Sequence, residues 1–212
     1  MGCGRGRLDG GRRVAALLAV GGLVTVGAVV VAGEAVAALP GEAPAATAAR
    51  AQPLVTGTPC SISAKACVDL DSQRAWLIKD GKVTRGPVKI ASGGNGEETP
   101  VGHSLRVYRK EKDHLSQESR LPNGQPAPMP WSVFFEDGGI AFHSGSPNRS
   151  SGGCIHLEPA DAEAWFNYLQ IGDQVQVVKA AEELAARKQS AAPPPPPTTT
   201  PAPPPPADDD ED

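Results

Sequence analysis

Residues 141–157 read AFHSGSPNRSSGGCIHL. Residues 140–143 form a short apolar, strand-like segment that ends on His143. A polar, turn-rich loop follows, and Gly152 and Gly153 run straight into Cys154. A helix signal comes next. Pro159 suits a first helical turn, Gly172 suits a position just past an end, and Ala162, Trp165, Phe166 and Leu169 share one face at helical spacing.

On either side the pattern is one of strands. Residues 66–70 and 74–78 are short and β-rich, and Asp80-Gly81 supplies a hairpin turn into 83–90. Residues 92–96 are glycine-rich but lack the Lys-Ser/Thr of a phosphate-binding loop, so they read as a turn. Residues 104–109 predict another strand, and 121–130, with four prolines, predict a loop. Strand character resumes over 131–135, Asp137-Gly138-Gly139 turns the chain, and 174–179 alternate as a closing strand. Many short strands, frequent turns and one main helix after Cys154 predict a mainly β, sandwich-like domain.

The ends differ in character from this middle. Arg5, Arg7, Arg12 and Arg13 precede an apolar run over 14–33, and Ala35-Val36-Ala37 fits a small-x-small cleavage site. Residues 1–37 therefore read as an export signal, with an uncleaved membrane anchor as the alternative, since about 20 apolar residues span a bilayer. Residues 38–57 read as a linker, 58–180 as one compact folded domain, and 181–189 as a short exposed helix. Residues 190–212, SAAPPPPPTTTPAPPPPADDDED, read as an extended, disordered, acidic tail. The expected location is outside the cytoplasm, at the cell wall or cell surface. A formal net charge of -4 with no long basic block argues against nucleic acid as a partner.

Cysteine usage then isolates the chemistry. Cys3 precedes the apolar run, and Cys60 and Cys67 bracket CSISAKAC as natural disulfide partners in an oxidising compartment. Cys154 is left over. A thiol reacts as its thiolate, and an imidazole such as that of His143 can take its proton and hold the ion pair. Gly152 and Gly153 clear the approach, and the N–H groups of Gly152, Gly153 and Cys154 are candidate oxyanion donors, each worth about 3 kcal/mol of barrier. Two other readings stay open on spacing alone: a structural thiol, and a zinc site using His143, Cys154 and His156.

SGGCIHL at 151–157, HSG at 143–145 and TPVG at 99–102 together resemble the motifs of YkuD-type L,D-transpeptidases, and helix-then-GDQVQVV resembles that family's ending. The resemblance implies a wall enzyme with no metal or organic cofactor. It would release the terminal D-Ala of one peptidoglycan stem and pass the acyl group to another stem's amine, giving 3→3 cross-links. Donor and acceptor stems would be its partners, and carbapenem β-lactams its inhibitors. Carried over by position, Cys154 would be the nucleophile and His143 its base, oriented by the backbone carbonyl of Ser144. Ser151 would organise the loop, with His156 and Trp131 supporting it or contacting substrate. Many members carry His where this chain has Gly152, and Arg or Asn where it has His156. An L,D-carboxypeptidase and a non-catalytic wall-binding module are the alternatives.

Overall fold

A computed structural model describes residues 43–94 and 96–191 of the 212-residue chain. The signal or anchor segment and nearly all of the proline-rich tail lie outside the described residues. Two sheets carry the fold. The first, in the order β3-β2-β1-β9-β4, contains β1 (Ala66–Asp69), β2 (Arg74–Lys79), β3 (Lys82–Lys89), β4 (Gly102–Arg106) and β9 (Gln174–Val178). The second runs β5-β6-β7-β8, with β5 (Arg109–Arg120), β6 (Pro126–Glu136), β7 (Ile140–Ser144) and β8 (Ile155–Leu157). Helix α2 (Pro159–Tyr168) joins β8 to β9 and packs on β6, β7 and β8. The mainly β, sandwich-like expectation holds.

Strand alternation explains the core. Val68 on β1, Ala75 and Leu77 on β2, and Val175 and Val177 on β9 are buried in one cluster. Val133, Phe135, Phe142, Ile155 and Leu157 from the second sheet, with Trp165 and Leu169 from the α2 region, meet them there. The other face of the first sheet buries Trp76, Ile78 and Val178 under Val55, Ala64 and the disulfide. That disulfide joins Cys60 to Cys67 with a Cα–Cα distance of 5.8 Å. Asp80 and Gly81, at φ 51° and 70°, form the hairpin turn that their residue types predict.

Four local expectations are corrected. The strand read over 104–109 is two: β4 ends at Arg106, and the chain crosses at Val107 and Tyr108 into β5 of the other sheet. Residues 126–130, read as loop, form the outer half of β6. Pro126, Pro128 and Pro130 are spaced by two, so their missing N–H groups fall on one edge. β7 pairs with β6 only from Val133 to Glu136, which leaves that edge without a partner strand to bond. Within the stretch read as linker, α1 (Pro44–Arg50) buries Ala46 and Ala49 and packs on β4.

The helix read as exposed, α3 (Ala180–Ser190), buries the carboxylate of Glu183 to 2 % exposure. Glu183 accepts from Arg50 Nε at 2.9 Å, lies 2.8 Å from His103 Nε2, and accepts from Arg187 Nε at 2.8 Å. Burial opposes its ionisation, but the His103 hydrogen bond and charge, then Arg50, outweigh it and hold the carboxyl at about 2. Arg187 also donates to the carbonyls of Ala49, Arg50 and Gln52, so α1 and α3 are tied to each other.

The β5–β6 hairpin is bent as well as long. Glu111 Oε2 lies 2.6 Å from His114 Nδ1, although residues three apart on a flat strand are separated by about 10 Å and face opposite ways. The bend coincides with Trp131, a non-glycine residue at φ 62°. It carries His114 back over Phe134, ring edge to face at 5.0 Å.

Candidate active site

Parallel pairing of β7 and β8 sets His143 opposite His156 and Phe142 opposite Ile155. Phe142 and Ile155 point into the core, so His143 and His156 share the opposite face, their rings 4.9 Å apart. Cys154 precedes β8 by one residue, at the level of Ala141. It is the free cysteine among the described residues. The chain needs only the loop at 145–154 to connect two parallel strands, and a network of side chains fixes its path.

Ser151 Oγ donates to the Cys154 carbonyl and accepts from Gly153 N–H at 3.1 Å. Thr99 Oγ1 donates to the Gly153 carbonyl at 2.7 Å and accepts from Gly93 N–H at 2.9 Å. In a trans peptide the C=O and N–H point opposite ways. Thr99 therefore aims the Cys154 N–H away from itself by holding the Gly153 carbonyl. Gly153, at φ 110°, and Gly93 approach so closely that a Cβ on Gly93 would lie 2.7 Å from Gly153 Cα, so both positions require glycine. His156 Nδ1 lies 3.2 Å from the Ser146 carbonyl and 3.1 Å from that of Arg149, a forked contact that supports the near half of the loop.

The imidazole of His143 is 6 % exposed, and its Nδ1 donates to the Ser144 carbonyl at 2.9 Å. That bond leaves Nε2 as the acceptor. Burial lowers the His143 pKa to about 4, against the opposing pull of the Ser144 carbonyl, and the charges of His156 and His114 add to the fall. Burial pushes the Cys154 thiol up, partly offset by the Ala141 N–H, and the charge of Glu118 pushes in the same direction as burial. The thiol donates to the Gly139 carbonyl at 3.7 Å, and among the described residues no hydrogen bond joins it to His143. The resting pair is therefore a neutral thiol and a neutral imidazole. This corrects the ion pair expected from the sequence: both groups sit where charge is poorly solvated.

Of the residues singled out from sequence, Ser151, Gly153 and Cys154 share one set of hydrogen bonds, and His143, Ser144 and His156 share another on the paired strands β7 and β8. Gly152 lies on the same loop, where an added Cβ would come 3.2 Å from Glu97 Oε2. The Gly153 N–H is already bonded to Ser151, which leaves Gly152 and Cys154 as donors from the expected three. The Trp131 ring packs against Phe166 of α2 at 5.4 Å, with Lys112 Nζ 4.5 Å above it. Two residues given no role from sequence, Thr99 and His114, do enter the region. Thr99 belongs to the TPVG stretch and was legible as part of a motif; His114 carries no local signal, because the hairpin bend delivers it. An open cleft of about 450 Å³ lies on the outer flank of the loop, lined by Gln73, Lys89, Ser92 and residues 147–150, and neither Cys154 nor His143 borders it. Among the described residues no group of three His, Cys, Asp or Glu side chains is arranged to hold a metal ion. No described helix is long and apolar enough to cross a membrane.

Solved structures similar to this chain include an L,D-transpeptidase from Stackebrandtia nassauensis. It is 26% identical at a TM-score of 0.49, with 63% of this chain and 64% of that chain covered. The C442S mutant of the Enterococcus faecium L,D-transpeptidase is 27% identical at a TM-score of 0.46, covering 55% of this chain and 50% of that one. L,D-transpeptidase 3 from Mycobacterium tuberculosis, in complex with a faropenem-derived adduct, is 23% identical at 0.47, covering 54% and 59%. The chain thus spans less than two thirds of these proteins. No curated protein matches it. Residues 63–177, more than half of the chain and including every element from β1 almost to the end of β9, match the family YkuD, L,D-transpeptidase catalytic domain. The chain belongs to the YkuD family of L,D-transpeptidase catalytic domains.

Proposed function

We propose that this protein is an exported cysteine acyltransferase that forms 3→3 cross-links between peptidoglycan stems. One arrangement carries the reading: a free, partly buried thiol one residue before β8, and on the paired strand β7 an imidazole whose Nδ1 is fixed by a backbone carbonyl, in a chain of the YkuD family. The Cys154 sulfur attacks the donor carbonyl as its proton passes to His143 Nε2. The oxyanion is met by the N–H groups of Cys154 and Gly152. His143 then returns the proton to the departing D-Ala amine, the C–N bond breaks, and a thioester remains. An acceptor amine attacks this thioester, forming the new C–N bond and releasing the sulfur. Export is supported by the basic-then-apolar start and by the Cys60–Cys67 disulfide, a bond typical of oxidising compartments.

Incubation with a carbapenem tests the nucleophile. Intact mass should rise by one β-lactam, and Cys154→Ala should abolish the adduct. An adduct that survives that substitution, or none on the wild type, removes the reading. Muropeptide products then separate transfer from hydrolysis: dimers mark the transpeptidase, and trimmed tripeptides mark an L,D-carboxypeptidase.

Thr99→Val removes the hydroxyl that holds the Gly153 carbonyl while keeping the side chain's shape. Carbapenem acylation should slow by about 10²-fold, the scale of an ångström-level misplacement. A fluorescence time course of the acylation measures it, and a rate within about twofold of wild type would show that Thr99 does not set the loop.

A further inference from the structure

The second half-reaction has a proton imbalance that one imidazole does not resolve. A primary amine with a lysine-like pKa of about 10.4 is an ammonium at neutral pH. Two protons leave its nitrogen as it becomes an amide, and the sulfur takes back one. With His143 passing that one to Cys154 Sγ, a second acceptor is needed for the other.

We propose that His114 and Glu111, on the bent β5–β6 hairpin, form a second imidazole–carboxylate pair that deprotonates the incoming acceptor ammonium. This rests on the transpeptidase reading and goes beyond it. Four observations place the pair. The His114 ring lies edge-on to Phe134 at 5.0 Å, and Phe134 pairs with Ala141 on β7. Ala141 is the residue whose N–H meets the Cys154 sulfur. His114 is also close enough to His143 for charges on the two rings to repel. Finally, the dyad has the build of an oriented base. Glu111 Oε2 holds Nδ1 at 2.6 Å, which leaves Nε2 as acceptor, and Arg109 Nη1 holds the other carboxylate oxygen at 2.8 Å. Charged groups on the ring's side include Glu111 and Arg109 from β5 and His143 from β7, the charge of Glu118 on β5 reaches Cys154, and β6 presents Phe134 and pairs Met129 with His114.

The dyad also has a route for the proton it collects. The His114 side chain is 12% exposed and Glu111 39% exposed, so the pair spans from the covered region to solvent. In balance, the ammonium gives one proton to His114 Nε2 and becomes a nucleophile. Its nitrogen then bonds to the thioester carbonyl, the C–S bond breaks, and the remaining surplus proton travels through His143 to the sulfur. His114 releases its proton to water.

His114→Gln and Glu111→Gln test the proposal in the full chain, with a carbapenem and with paired donor and acceptor muropeptides. In His114→Gln, carbapenem acylation and D-Ala release should stay within about twofold of wild type. Dimer formation at neutral pH should fall by about 10²-fold or more, with tripeptide in its place. Raising the pH toward the amine's own pKa should restore dimers, because water then supplies the free amine. Glu111→Gln should show a smaller loss in the same direction. An unchanged ratio of dimer to tripeptide at neutral pH overturns the assignment. So does a parallel loss of acylation and transfer with no recovery at high pH, the mark of a merely structural ring. A wild type that takes no carbapenem adduct removes the transpeptidase reading itself, and this inference with it.

Discussion

Replacing His143 by glutamine is expected to slow carbapenem acylation of Cys154 by about 10²- to 10⁴-fold, the range of a positioned general base. Glutamine can keep a hydrogen bond to the Ser144 carbonyl but offers no basic nitrogen toward the thiol. The same neutral-pair chemistry predicts a pH profile. The ring's folded pKa is lowered, to about 4 from 6.5, so the base form persists as pH falls and the acylation rate drops only on approach to about 4. Iodoacetamide should label Cys154 slowly at neutral pH and speed up only beyond the ordinary thiol range of about 8.5, because burial raises the thiol. Rapid labelling at pH 5 would mean a resting thiolate–imidazolium pair, and the general-base account would be wrong.

Glu183→Gln is expected to destabilise the fold by about 3–5 kcal/mol, the scale for removing one member of a buried ionic group. The guanidinium groups of Arg50 and Arg187, 13% and 14% exposed, would both lose the carboxylate they donate to. Urea unfolding at neutral pH measures the change, and a loss below about 1 kcal/mol would place the cluster with ordinary surface ion pairs. The acid limb gives a second check. The folded carboxyl sits at about 2 against an ordinary 4.5, so its contribution is present above 4.5 and is lost as pH falls through that window. The glutamine variant should lack this component of acid unfolding.

Local sequence signals carried much of the fold. The Asp80-Gly81 turn, the β9 alternation, the Pro159 start of α2 and the Cys60–Cys67 bridge all report chemistry within a few residues, and all appear in the structure, whereas the helix ends at Tyr168, four residues short of Gly172. The misreadings have a different origin. Pro126, Pro128 and Pro130 look like strand breakers until it is known that one edge of β6 lacks a neighbour there. Glu183 looks like a surface residue because its partners, Arg50 and His103, lie 133 and 80 positions away. His114 sits in a charged stretch, RKEKDHLSQESR, whose alternation says nothing of a bend. At the site, the cluster of HSG and SGGC was visible because nucleophile, base and loop share one short segment. The protonation state was not, since it depends on how deeply the assembled sheets bury two side chains.

Because one carboxylate receives a cation from the first described helix and another from its own helix, the beginning and the end of the folded unit lie side by side. The domain is in that sense nearly circular. A permuted version, with residues 191 and 43 joined by a short flexible segment and new termini opened at the exposed Asn123-Gly124 tip, should keep both sheets and the Cys154 loop, since no core strand would be cut.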